Sequence, residues 1–130
     1  MKTTLIIGKQ RLMIIQLAPN TLIPKMDELQ PFWSITKTED EISIVLLEQD
    51  LDPALKAERG WRYLKVKGPL DFSLTGILSS IATPLAKAGI SIFVISTFDT
   101  DFILLKEASL ELAITVLRSS GFHVTNTEII

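Results

Sequence analysis

The sequence predicts an α+β protein in two small modules, the second of them reading β-α-β-β-α-β. Three observations carry this. Apolar runs of strand length recur along the chain, and two stretches of the second half place apolar residues at helical spacing. Between the halves, Gln49 to Gly60 is polar and contains Pro53, as a connector should. The modules are therefore expected at 1–58 and 59–130.

Each element follows from its residues. Leu5 to Ile7 and Leu12 to Leu17 read as strands with Gly8 as a turn between them, and Pro19-Asn20 and Pro24 mark a loop. Phe32 to Lys37 alternates like a strand. Thr38, with Glu41 three residues on, has the spacing of a capping box and predicts a short helical turn before the strand Ile42 to Leu47. Trp61 to Lys67 alternates, with Trp61, Tyr63, Lys65 and Lys67 on one face and Arg62, Leu64 and Val66 on the other. Leu74, Ile77, Leu78, Ile81 and Leu85 predict a helix over 73–88, capped by Asp71 or Ser73, stopped at Gly89, and kinked or broken at Pro84. Ile90 to Ser96 and Asp101 to Lys106 predict a hairpin around Thr97 to Thr100. Leu110, Ala113, Ile114 and Leu117 give a second amphipathic helix, with Arg118 near its negative end. Gly121 ends that helix, and Phe122 to Thr125 is a last strand.

This order is the ferredoxin-like split arrangement, with an antiparallel sheet and both helices on one face. The first half keeps the strands of such a unit and shortens its helices. Element order alone supports that comparison, since no literal repeat is present.

Composition narrows the function. The chain has no cysteine, which excludes disulfides and thiolate metal sites and fits a cytoplasmic setting. Net charge is −2, with no basic stretch of the kind nucleic acid requires. The apolar run from Leu5 to Ala18 is interrupted by Lys9, Gln10 and Arg11, so neither a membrane span nor a signal segment is expected. His123 is the only histidine, so no histidine-rich metal site or histidine-based triad is expected apart from it; its place in a terminal strand suits a structural role. Phosphate-loop and dinucleotide-binding glycine patterns are absent, and Asp99 with Asp101 is ordinary hairpin chemistry. No catalytic residue, cofactor or metal is expected, and the protein is read as a non-enzyme.

Two segments hold the candidate binding chemistry. Gly68 to Gly76 joins a strand to a helix start, whose unpaired amides can seat a carboxylate; Gly76 allows close approach. Ser96 to Asp101 is polar and follows a very apolar strand, so its acid could hold an ammonium or guanidinium. Each segment also has a plainer reading: a capped helix with a packed glycine, and a turn rich in turn formers. Together they match the two charges of an amino acid.

The same residues carry a family resemblance. Gly60-Trp61, Gly68 through Gly76, Pro84-Leu85-Ala86, Ala88 through Ser91 and Ser96 through Asp101 closely resemble ACT-domain proteins of the CASTOR-related (ACT_7-like) family, stand-alone bacterial type. Leu17 through Asn20, Pro24 and Thr38 through Val45 resemble that family's N-terminal module. The resemblance implies two ACT modules, the first reduced, and an amino-acid-sensing or regulatory role. Animal members look like this chain duplicated and sense arginine at an interface between ACT modules. Carried over by position, the ligand-binding residues would be Thr97, Phe98 and Asp101, with Asp71, Ser73 and Gly76. One chain holds half the modules of those sensors, so its interface would come from a homodimer or from packing within the chain. The alternative is a protein-interaction or dimerisation module with no small ligand.

Overall fold

Strand pairing, more than order along the chain, decides which residues fold together. The computed structural model describes residues 3–27, 30–68 and 75–126. Two compact units result: residues 1–9 with 62–130, and residues 10–61. In this grouping the first strand lies with the second half, whereas the modules were expected at 1–58 and 59–130. That strand, β1 (Thr4–Ile7), pairs antiparallel with β5 (Lys56–Val66) and parallel with β8 (His123–Thr125). Leu5 is fully buried in the larger unit's core, and an apolar run of four residues does not announce its partner.

The larger unit follows the expected order: β5, α1 (Ile77–Lys87), β6 (Phe93–Ser96), β7 (Asp101–Lys106), α2 (Leu110–Ser119) and β8. Its strands run β8-β1-β5-β7-β6, mainly antiparallel, with β1 between β8 and β5. Leu64 and Val66 of β5, Ile103 and Leu105 of β7 and Leu5 of β1 form the sheet side of the core. Ile81 and Leu85 of α1, with Leu110, Ala113 and Leu117 of α2, form the helix side. Burying each leucine or isoleucine contributes about 1.5–3 kcal/mol, so this seam holds the helices to the sheet. Both helices end the same way. Gly89 at φ 75° and Gly121 at φ 99° follow the last turn, and Ile90 and Phe122 donate their amides back to Leu85 and Leu117 at 3.0 Å.

Helix α1 begins at Ile77, because Gly76 turns out of the helix at φ 80°; Ser73, the expected start, lies outside the described residues. It runs through Pro84 without a break; the carbonyl left without a donor belongs to Ser80, an exposed residue. Gly8 is not a turn glycine. It extends β1, its N–H donating to Tyr63 O at 2.9 Å, and the Tyr63 ring occupies the space a Cβ would need.

The smaller unit is a sheet ordered β3-β4-β2-β5, from β2 (Leu12–Leu17), β3 (Trp33–Lys37), β4 (Ile42–Leu47) and the first part of β5. The segment expected to be a connector is strand from Lys56 onward. Its pairing with β2 shifts by one residue between Leu12↔Trp61 and Ile14↔Glu58, and Gly60 at φ 78° absorbs the extra residue as a bulge. The helical turn expected at Thr38 is instead the β3–β4 hairpin turn. Thr38 Oγ1 accepts from the amides of Asp40 and Glu41, as a helix cap would, but Lys37↔Ile42 pairing closes the chain into a hairpin. Met13, Ile15, Ile42, Ile44 and Leu46 make this unit's core, and the loop residues Met26 and Leu51 pack on it. Among the described residues, no helix is long and apolar enough to cross a membrane.

Candidate functional site

The candidate site is built at one end of the larger unit's sheet. Strand β5 ends at Val66, and the chain continues through Lys67, whose N–H donates to Thr4 O at 2.9 Å. Residues 69–74, including Asp71 and Ser73, lie outside the described residues. Beyond them, Gly76 is the helix N-cap at φ 80°, ψ −6°. Gly76 has no side chain to cap α1 and no acid sits in the first turn, so no acid among the described residues of that turn offsets the partial positive charge of the helix start. A Cβ added at Gly76 would meet no atom of the described residues within 4 Å. Gly76 therefore serves as the left-handed entry to α1, one residue before the turn in which it was expected. The groove beside it, about 500 Å³, is lined by Ser79, Ser80, Thr83, Pro84, Lys87 and Ser120 and by no hairpin residue.

The hairpin is tightly organised. Ser96 and Asp101 are register partners, and Ser96 Oγ donates to Asp101 Oδ1 at 2.6 Å. Thr97 N–H donates to Thr100 O at 2.8 Å, and Thr97 Oγ1 both donates to that carbonyl and accepts from the Thr100 amide. Thr100, buried to 6%, donates its hydroxyl to Val66 O. That bond joins the hairpin to the end of β5, the same end from which the chain departs towards Gly76. Phe98 projects from the tip with 80% exposure. Asp101 is half-buried, and its carboxylate accepts from the Ser96 hydroxyl.

Of the residues expected in the site, Thr97 and Asp101 are thus brought together by the turn, with Phe98 exposed between them. Gly76 stands at the helix start reached from the same strand end. Thr100 was missed as an organising residue. Its signal was a hydroxyl directly before a near-continuous apolar strand, where a buried polar atom needs a partner.

Behind the hairpin, Phe102 lies 5.8 Å from the Tyr63 ring and 6.0 Å from Lys65 Nζ. Burial raises the Tyr63 phenol above its ordinary 10.0, and the Arg62 guanidinium partly offsets this. His123 is in β8, its amide donating to Thr3 O. Among the described residues, no three His, Cys, Asp or Glu side chains group as a metal site.

A family model described as an ACT domain matches residues 56–119, spanning β5 to α2. A model of an N-terminal domain matches residues 12–52, within the smaller unit. The chain is also 32% identical over 97 residues to the cytosolic arginine sensor for mTORC1 subunit 1 of Bos taurus. This chain is an ACT-domain protein of the CASTOR-related family. The alignment with the cattle sensor covers 66% of this chain and 30% of that protein, so the chain spans under a third of the curated relative it matches. Among solved structures, protein Atu0741 of Agrobacterium tumefaciens matches at TM-score 0.88 and 34% identity, covering 100% of this chain and 98% of that one. The aspartate kinase of Clostridium acetobutylicum matches at TM-score 0.66 and 13% identity, over 87% of this chain and 33% of that one, which is a likeness of fold. The α+β ACT architecture expected from the sequence is the one observed, with its ACT model centred on the unit that carries the hairpin and α1.

Proposed function

We propose that this ACT-domain protein is a regulatory sensor that binds an amino acid, working in the cytoplasm as the name of its matched relative says of that protein. The supporting observation is the joining of two opposite electrostatic features to one strand end: the start of α1, whose first turn holds no acid, and the half-buried Asp101. On this reading the carboxylate of the ligand faces the α1 amides, and its ammonium or guanidinium faces Asp101. A pair of charges about 4 Å apart gains roughly 4 kcal/mol at an effective dielectric near 20, before desolvation, so Asp101 would orient the ligand rather than bind it alone. Asp71, Ser73, Thr97 and Phe98 complete the proposed site, which lies at an interface between ACT modules. Binding one arrangement of modules better than another would shift the population towards it, and that shift is the signal.

The test is calorimetry and thermal shift against the twenty amino acids. One or a few should bind in the micromolar to millimolar range, about −8 to −4 kcal/mol. Asp101→Ala should weaken that binding at least tenfold, while Asp99→Ala should not. Silence from every amino acid, or indifference to Asp101→Ala, removes the proposal.

A second reading, a dimerisation or docking module without a small ligand, is favoured by Phe98, which is 80% exposed, and Leu112, which is 50% exposed on α2. Light scattering coupled to size exclusion separates the readings. An oligomer that no amino acid perturbs, and that Phe98→Ser dissociates, supports the second.

A further inference from the structure

The smaller unit contains a cavity that the proposed sensor site does not use. Its volume is about 560 Å³, within the range of small-molecule pockets. The floor is aliphatic: Ile15 and Leu17 from β2, Ile44 and Leu46 from β4, with Ile15 directly opposite Ile44 in register. Alternate residues of paired strands share a face, so these four side chains make one continuous apolar surface. Loop residues, among them Met26 and Leu51, stand over this face and leave room.

The polar residues of the lining are Thr21, Lys25, Asp27, Gln30 and Gln49, and Gln30 and Lys25 define the polar contacts of the inferred site. Gln30 lines the cavity, and its Oε1 is buried with no hydrogen-bond partner among the described residues. Buried side-chain oxygens are nearly always bonded, so an orphaned one is a place where a donor is wanted. Lys25 supplies a cation at the exposed margin. A ligand suited to all three features has an apolar body, an N–H donor and an anionic group.

We infer that this cavity is a second ligand site that takes a small apolar amino acid, with an aliphatic or aromatic side chain on the strand floor. The ammonium donates to Gln30 Oε1, and the carboxylate faces Lys25. The inference does not depend on the Asp101 site: the residues involved belong to the smaller unit, and the ligand is selected by its hydrocarbon.

Methyl-resolved NMR of the full chain tests it, with leucine, isoleucine and phenylalanine as probes and acetate as the anion-only control. Titration to about 10 mM exceeds the roughly 1 mM dissociation constant of a weak metabolite site. Saturating shifts at the Ile15 and Ile44 methyls with at least one amino acid, and none with acetate, are expected. Gln30→Leu should weaken binding about tenfold, the effect of one lost hydrogen bond to a charged group. Leu17→Trp, made from a partly buried position, should fill the cavity and abolish the shifts while the spectrum stays folded. Asp101→Ala should leave this binding unchanged, so failure here and failure of the sensor site are read separately. Unmoved Ile15 and Ile44 methyls with all three amino acids, or full affinity in Gln30→Leu, overturn the inference.

Discussion

Replacing Gly8 with alanine should destabilise the larger unit, although in most strands the same change stabilises. Alanine restricts the unfolded chain and normally gains about 0.4–1 kcal/mol where its backbone fits. At Gly8, however, a Cβ would lie 2.1 Å from Tyr63 Cζ and 2.3 Å from both ε carbons. The backbone cannot retreat easily, because Gly8 N–H is bonded to Tyr63 O and Gly8 O accepts from Arg62 Nη2, both at 2.9 Å. The ring must move instead, away from its 5.8 Å contact with Phe102. Overpacking of this kind costs about 1–3 kcal/mol, which exceeds the entropic gain. At about 4 °C per kcal/mol for a chain of this size, the melting temperature should fall by roughly 4–12 °C. Urea denaturation of Gly8→Ala, Tyr63→Ala and the double variant measures the coupling. With the ring removed, Gly8→Ala should become neutral or stabilising. If Gly8→Ala costs the same in the Tyr63→Ala background, the ring is not the cause and the reasoning fails.

Three further outcomes follow from the same structure. Thr100→Val keeps the shape but removes the donor to Val66 O, and should cost about 1–2 kcal/mol while speeding amide exchange at Thr97 and Thr100. Gly121→Ala meets no atom within 4 Å but imposes a side chain at φ 99°, so its cost of about 1–2 kcal/mol should be unaffected by any neighbouring truncation; a double-mutant cycle with Phe122→Ala checks this. Tyr63 is the only tyrosine, so phenolate absorbance reports it alone, and its midpoint should lie above 10.0. Because folding favours its neutral form, this contribution is intact below the unfolded value near 10 and declines as pH rises from there through the folded midpoint; Tyr63→Phe should remove that part of the alkaline decline.

Much of the larger unit was readable because its signals are local. Helical spacing at Ile77, Ile81 and Leu85, a terminating Gly89 and the apolar run after it each constrain a few neighbouring residues, and each produced the element observed. Long-range pairing was not readable. Nothing near Leu5 says that it will lie beside Val66 and Val124 rather than against the strand that follows it. Thr38 misled for a related reason: its hydroxyl bonds the same amides in a tight hairpin as in a helix cap, and the choice was made by β3–β4 pairing. In the candidate site, Thr97 and Asp101 were legible as turn chemistry, but the Thr100–Val66 tie depends on a strand 34 residues away.

The position of β1 has a consequence for how the chain can be handled. Among the described strands, β8 joins the larger unit's sheet through β1 alone. Removing the first nine residues would therefore excise an interior stave, and β8 would lose its strand partner among the described residues with it. During synthesis β1 must wait for residues 123–125 to emerge before its pairing with β8 can form, while residues 10–61 hold the pairings of β2, β3 and β4 with one another and with the first part of β5. An affinity tag on this protein is better placed with a spacer before Thr3 than by trimming into Thr4.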